Sequence, residues 1–282
     1  MRYGIVLSLG DARGLIDLAC EAEAAGWDAV FVADAMAIGT DQFPDMPWFD
    51  PWVVLAAIAV RTERIRIGTL LTPPSRRRPW KLAREVATLD HLSNGRMILS
   101  VGLGAAEHDG GFFKVGEAMD LKTRARLLDE SLDILAGLWS GKPFSYVGEH
   151  YHVDKLSMLP PPVQQPRVPI WVVGVWPKEK SMQRALQWDG LIAQRYKGSP
   201  SDPRLTVDEV RTIKAYVDEH RKATTPFDIL AGGTTGSKSR KRAIETVRPY
   251  IEAGATWWVE EMWASDEEKV RDRVRKGPPR VE

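Results

Sequence analysis

Apolar positions along this chain follow two alternating rhythms. Short continuous runs such as Tyr3–Leu9 and Ala29–Val32 read as buried strands, and the segments between them carry apolar residues at helical spacing. Asp11–Ala25 places Leu15, Leu18, Ala22 and Ala25 on one face, and Gly26 stops it. A loop over 35–49, rich in Pro, Gly, Met and Trp, leads to Asp50-Pro51, an N-cap with proline behind it, which opens a helix over Trp52–Arg61. Ile65–Leu71 predicts a third strand and Pro79–Leu92 its helix. Asn94-Gly95 then turns the chain into a fourth strand, Met97–Leu103. Residues 104–119 form a glycine-containing loop and Leu121–Trp139 a long amphipathic helix.

Segment 141–167, with its "PPPVQQP", breaks the rhythm and reads as an insertion. Alternation then resumes with strands at Pro169–Gly174, Gly190–Gln194, Phe227–Ala231 and Thr256–Glu260, and helices at Lys178–Trp188, Thr206–Arg221, Arg240–Glu252 and Asp266–Arg275. Strand followed by helix, repeated about eight times in one chain of 282 residues, predicts a (β/α)8 TIM barrel: a single domain, 1–282, with its insertion at about 141–167 after the fourth βα unit. A doubly wound open sheet, the alternative, shows fewer units at this length. In a barrel the chemistry sits in the βα loops, here 35–49, 72–78, 104–119, 175–177, 195–205, 232–238 and 261–265.

Composition narrows the function classes. Lys+Arg (39) and Asp+Glu (38) nearly cancel, so no overall field recruits nucleic acid or an anionic membrane. The local runs Arg76–Arg78 and Lys238–Arg242 are short enough to be solvated faces. Cys20 is the sole cysteine, which excludes an internal disulfide and multi-cysteine metal sites. The N-terminal apolar run is too short for a signal peptide, and no stretch approaches the roughly 18 apolar residues of a membrane span, so a cytoplasmic protein is expected. The 11 tryptophans serve packing, and such rings also line pockets for planar ligands.

Chemistry-bearing motifs are few. "SVGLG" (Ser100–Gly104) is not a dinucleotide fingerprint, because Glu107 occupies the position of the third glycine. Glycines at a strand end do let a flat ligand approach the backbone. Gly174 ends the fifth strand before a helix whose N–H groups suit a phosphate, and "AGGTTG" (Ala231–Gly236) competes for that role. His108, beside Glu107 and Asp109, is the histidine best placed for proton transfer. His150 and His152 lack a third partner for a metal, and no metal ligand set is assigned. No nucleophile elbow or Walker loop is present, a pattern in which a cofactor carries the reaction.

"AGWDAVFVAD" (25–34), "RIRIGTLLTPPSRRRPWKLAREVATLDHLSNGR" (64–96), "SVGLG" (100–104), "LDESLDILAGLWSG" (128–141), "PPPVQQPRVPIWVVG" (160–174) and "WDG" (188–190) resemble the luciferase-like monooxygenase family. The resemblance implies a flavin-dependent oxidoreductase or monooxygenase. Reduced FMN would lie at the C-terminal mouth of the barrel and act on a small organic substrate. The alternative within the family is a deazaflavin (coenzyme F420) dehydrogenase or reductase. It further implies a non-prolyl cis peptide near Thr69-Leu70, Gly102 and Gly104 beside the ring or its ribityl chain, and phosphate contacts from Gly174, Val175, Gln194 and Lys197. Met36, Trp48 and Trp176 would be substrate-side walls, and one of Arg76–Arg78, taken as Arg76, would approach cofactor or substrate. The family commonly forms homodimers.

Two positions depart from the pattern. Family members that oxidise sugar phosphates or alcohols with a deazaflavin carry a histidine after the strand-two aspartate and a glutamate after the strand-four glycine pair. Here those are Ala35 and Ala105, which disfavours that subclass, since hydride abstraction from an alcohol needs a base near the hydroxyl. A metal-dependent barrel hydrolase and a non-catalytic flavin-binding protein are the readings from other classes.

Overall fold

Local side-chain chemistry ends most elements near their expected positions. After β1 (Arg2–Leu7), Asp11 accepts the N–H of Gly14 and opens α1 (Ala12–Ala24). β2 (Ala29–Val32) follows, and Asp50 accepts the N–H groups of Trp52 and Val53 to start α2 (Pro51–Arg61). β3 (Arg66–Thr69), α3 (Pro79–Leu92) and β4 (Met97–Val101) come next, with Asn94 and Gly95 at positive φ in the turn between the last two. A single helical turn, α4 (Gly110–Phe113), sits inside the expected loop before α5 (Leu121–Trp139). Then come β5 (Phe144–Val147), β6 (His152–Leu156), β7 (Ile170–Trp176), α6 (Glu179–Leu186), β8 (Gly190–Arg195) and α7 (Val207–His220). The chain closes with β9 (Asp228–Gly233), α8 (Arg240–Glu252), β10 (Trp257–Glu260) and α9 (Glu267–Arg275). The computed structural model describes residues 1–7, 10–36, 47–107, 109–196, 204–236, 239–263 and 266–281.

The strand order β1-β10-β9-β8-β7-β4-β3-β2 closes on itself, which makes the fold a (β/α)8 barrel. Segment 141–167 is more regular than its composition suggests: β5 and β6 pair antiparallel as a hairpin outside the barrel. Glu130 of α5 holds the hairpin's turn, its carboxylate accepting the N–H groups of Glu149, His150 and Tyr151 at 2.9–3.2 Å. His150 and His152 remain exposed.

Residues 1–31, 64–66 and 169–282 form one compact unit, and residues 32–63 and 67–168 another. The core of the first centres on Phe31, Trp171 and Trp257, all fully buried, with ring centroids 5.0–6.5 Å apart in tilted and edge-on pairs. Trp27 is buried at its periphery, its Nε1 donating to Val274 O at 2.9 Å. The second unit buries Leu82, Val86, Leu128 and Leu135 between α3 and α5, and Trp139 Nε1 donates to Ala83 O at 3.0 Å. Much of the high tryptophan count is therefore structural.

Candidate active site

Three successive βα loops of the second unit meet in one ion network. Asp34 follows β2, Arg76 and Arg77 follow β3 in and after a 3-10 turn (Pro74–Arg76), and Asp109 precedes α4. Arg76 donates to Asp34 Oδ1 at 2.8 Å, to Asp34 O at 2.5 Å and to Asp109 Oδ2 at 2.5 Å. Arg77 grips Asp34 from another direction, Nε to Oδ2 at 3.0 Å and Nη2 to Oδ1 at 2.8 Å. Trp52 Nε1 (3.2 Å) and Thr72 Oγ1 (2.8 Å) also donate to Asp34 Oδ2. Asp109 Oδ1 accepts the N–H groups of Met36 and Gly111. Both carboxylates are buried and hydrogen-bonded on both oxygens, so they hold the loops rather than serve as bases. Arg78, the third arginine of the run, is exposed at the start of α3.

The loop after β4 is built around a ring. Phe112 is buried between two guanidinium groups, Arg76 at 5.5 Å and Arg124 at 5.6 Å from its centroid. Arg124 also donates to Leu103 O (2.7 Å) and Gly104 O (3.0 Å), fixing the glycine loop from the first turn of α5. Sequence reading missed Arg124, although a charge on the stripe shared with Leu128 and Leu135 was the available signal. Gly104 has φ +76°, and a Cβ there would lie 2.9 Å from both Phe112 and Pro73. Gly104→Ala is therefore expected to cost about 1–3 kcal/mol, from the left-handed backbone plus overpacking, read as a lower urea midpoint at unchanged slope.

The expected site residues fall into both units. In the second, Thr69 Oγ1 donates to Ser100 O (3.5 Å) and Gly102 N to Thr72 O (3.3 Å), which joins the end of β3 to the glycine loop. A non-prolyl cis peptide is present at Leu70-Leu71, one bond later than the expected Thr69-Leu70. Strand pairing likewise ends at Thr69 rather than Leu71, leaving Thr72 an isolated bridge to Val101. Met36, Trp48 and Arg76 line one cavity of about 280 Å³ with Phe49, Asp50 and Arg77. Trp48 Nε1 donates to Ala33 O at 3.3 Å.

In the first unit, the Val175 N–H expected to meet a phosphate instead donates to Ser181 Oγ at 3.0 Å, because α6 brings its own hydroxyl there. Gly174 packs against Leu191 and Met182, so its missing side chain serves close strand–helix packing. Trp176 stands edge-on to Tyr216 at 5.5 Å, and Gln194 is exposed on β8. His108 and Lys197 lie outside the described residues.

Adjacent glutamates, Glu260 and Glu261, end the last barrel strand in different surroundings. Glu260 is fully buried and accepts from Thr235 N (2.5 Å), Thr235 Oγ1 (3.0 Å), Trp258 Nε1 (3.1 Å) and Gly236 N (3.3 Å), with Arg273 Nε at 3.2 Å. Glu261 lies against Gly232, its Oε1 only 2.5 Å from where a side chain there would begin. Burial pushes its carboxyl up to about 7, against a hydrogen bond from Trp263 and the charge of Arg204. The sequence reading gave the pair no role, though paired acids closing an apolar strand were a visible signal.

Comparison with known proteins matches residues 3–278 to the family described as luciferase-like monooxygenase. The chain is 34% identical over 240 residues to a protein of Nakamurella multipartita named F420-dependent glucose-6-phosphate dehydrogenase, covering 83% of this chain and 67% of that one. It thus spans about two thirds of that relative's length. Among solved structures it resembles an F420-dependent secondary alcohol dehydrogenase in complex with an F420-acetone adduct (TM-score 0.75, 19% identity, 99% of this chain and 98% of the other). It also resembles a type II Baeyer–Villiger monooxygenase, the oxygenating constituent of 3,6-diketocamphane monooxygenase of Pseudomonas putida, in complex with FMN (TM-score 0.69, 15% identity, 100% and 99%). At those identities the structural likenesses establish the fold.

Proposed function

From the premise that this chain belongs to the luciferase-like monooxygenase family, we propose that it is a coenzyme F420-dependent oxidoreductase acting on a small organic substrate other than a sugar phosphate. The observation that carries the cofactor choice is the 34% identity to a relative named as F420-dependent, which favours the deazaflavin over the FMN expected from the sequence. The end of β3 and the Gly102–Gly104 loop fit such a group. They are joined by backbone hydrogen bonds, and Ser75 Oγ and Ser100 Oγ near them are buried without a hydrogen-bond partner among the described residues, leaving polar capacity at the strand ends. Bound there, the deazaflavin would supply two-electron hydride chemistry.

The chain's own residues restrict the substrate. Ala35 and Ala105 stand where alcohol- and sugar-oxidising members carry histidine and glutamate, and Asp34 and Asp109 are committed to Arg76 and Arg77. Neither of these two buried carboxylates is therefore free to take a proton from a hydroxyl. Met36, Trp48 and Phe49 give the cavity an apolar wall that desolvates a small organic molecule, and the network below holds that wall in place. FMN is the second reading, favoured by the FMN-bound fold neighbour, and a homodimer remains part of the proposal.

Titration of the purified protein with each cofactor, followed by fluorescence quenching, tests this reading. Saturable binding of F420 with weak or no binding of FMN is expected; the reverse installs the FMN reading, and binding of neither removes both. With F420 supplied, glucose-6-phosphate oxidation is expected to stay at background. Turnover comparable to a dedicated dehydrogenase, on the order of 1 s⁻¹ or faster, would overturn the argument from Ala35 and Ala105.

A further inference from the structure

The ends of the strands opposite the βα loops hold a second recess. A cavity of about 520 Å³ in the first unit is lined by four arginines, Arg2, Arg64, Arg66 and Arg280, and by two carboxylates, Glu23 and Asp28. The carboxylates already have work. Glu23 Oε2 accepts the N–H groups of Arg64 (2.6 Å) and Ile65 (2.8 Å), tying the entry of β3 to α1. Asp28 Oδ2 accepts Tyr3 N (2.8 Å), and its Oδ1 pairs with Arg280 Nη2 at 3.0 Å. That leaves Arg2, Arg64 and Arg66 short of anions. Among the described residues, Arg2 pairs with Asp228 at the long distance of 3.9 Å and lies over the Trp257 ring at 5.4 Å. Among the described residues, the side chains of Arg64 and Arg66 make no hydrogen bond or ion pair.

We propose that this recess binds a small multivalent oxyanion, a phosphorylated metabolite or pyrophosphate, through Arg2, Arg64 and Arg66. Guanidinium groups stay protonated and present forked donors that match phosphoryl oxygens, so an anion between them satisfies donors that the protein leaves open. Burial, and after it the positive charge of Arg2, lowers the pKa of Arg66, against the charge of Asp228. A nucleic acid does not fit, because the charge is confined to a recess in a chain of net charge +1. The proposal is independent of the cofactor assignment.

Calorimetric titration with sodium pyrophosphate, against sodium chloride of equal ionic strength and with F420 or FMN saturating, tests it. One saturable site per chain is expected, with a rise in melting temperature that chloride does not reproduce. Arg66→Gln and Arg64→Ala should each weaken pyrophosphate about tenfold or more while leaving cofactor affinity unchanged. Should the half-buried Arg66 variant fail to fold, the exposed Arg64 variant decides. Absence of saturable binding, or pyrophosphate affinity untouched in the variants that fold, overturns the site.

Discussion

Replacing Asp34 with alanine is expected to cost about 3–5 kcal/mol of stability, the price of leaving a buried ion network without one of its members. Asp34 ties the loop after β2 to the loop after β3 and to α2: it accepts from Arg76, Arg77 and Thr72, and from Trp52, within a single buried carboxylate. Its removal leaves Arg77 with the marginal carboxylate contact to Glu85 at 4.0 Å, and leaves Arg76 with Asp109 and the backbone carbonyl of residue 34. Arg76→Ala should cost nearly as much, because Asp34 would keep Arg77 while Asp109 lost its cation. Arg77→Ala should cost less, about 1–2 kcal/mol, since Arg77 is the more exposed partner and Asp34 keeps Arg76. Urea midpoints at neutral pH give the ranking. The Asp34→Ala, Arg76→Ala double variant should lose less than the sum of the singles, because it removes charge of both signs. If all three single variants lost under about 1 kcal/mol, the network would be no more than a surface ion cluster.

The same residues show how far sequence reaches. Strand and helix signals located the barrel because burial and capping are local. Asp50-Pro51 opened α2 as its residues require, and α3 and α5 span the residues their apolar spacing marks. The arginine run lies between β3 and α3 as its flanking elements predict, but its chemistry depends on partners 33 and 42 residues away, a pairing that no local pattern encodes. Hydrophobicity also reports burial rather than pairing. The apolar run to Leu71 marks a buried segment, yet ladder bonding stops at Thr69. Segment 141–167 looked irregular because its prolines are conspicuous and its strands short and polar, while Glu130, which pins its turn, sits on another element. The family resemblance implies a phosphate contact at Val175, whose N–H donates to Ser181 Oγ, a partner on the next helix that the resemblance does not reveal.

The glutamates closing β10 give the second large effect, and they should move in opposite directions. A carboxyl whose pKa rises to about 7 in the native state holds its proton where the unfolded chain has lost it. From the ordinary value of 4.5 up to about 7, the native state therefore binds more protons than the unfolded one, and stability falls as pH rises through that window. The full shift corresponds to roughly 3 kcal/mol; with Glu261 partly accessible and Arg204 near it, about 1–2 kcal/mol is the expected loss by pH 8. Glu261→Gln keeps the shape and removes the titration, so it should flatten the fall between pH 5 and 8 and match or exceed the parent above pH 7. Glu260→Gln should instead destabilise at every pH, by about 3–5 kcal/mol, because Arg273 would be left buried without its carboxylate. Urea denaturation of both variants at a series of pH values separates the cases. A parallel pH slope in Glu261→Gln and the parent would show that Glu261 is ionised like a surface acid. If Glu260→Gln were neutral, Thr235 and Trp258 rather than the ion pair would hold that corner of the strand.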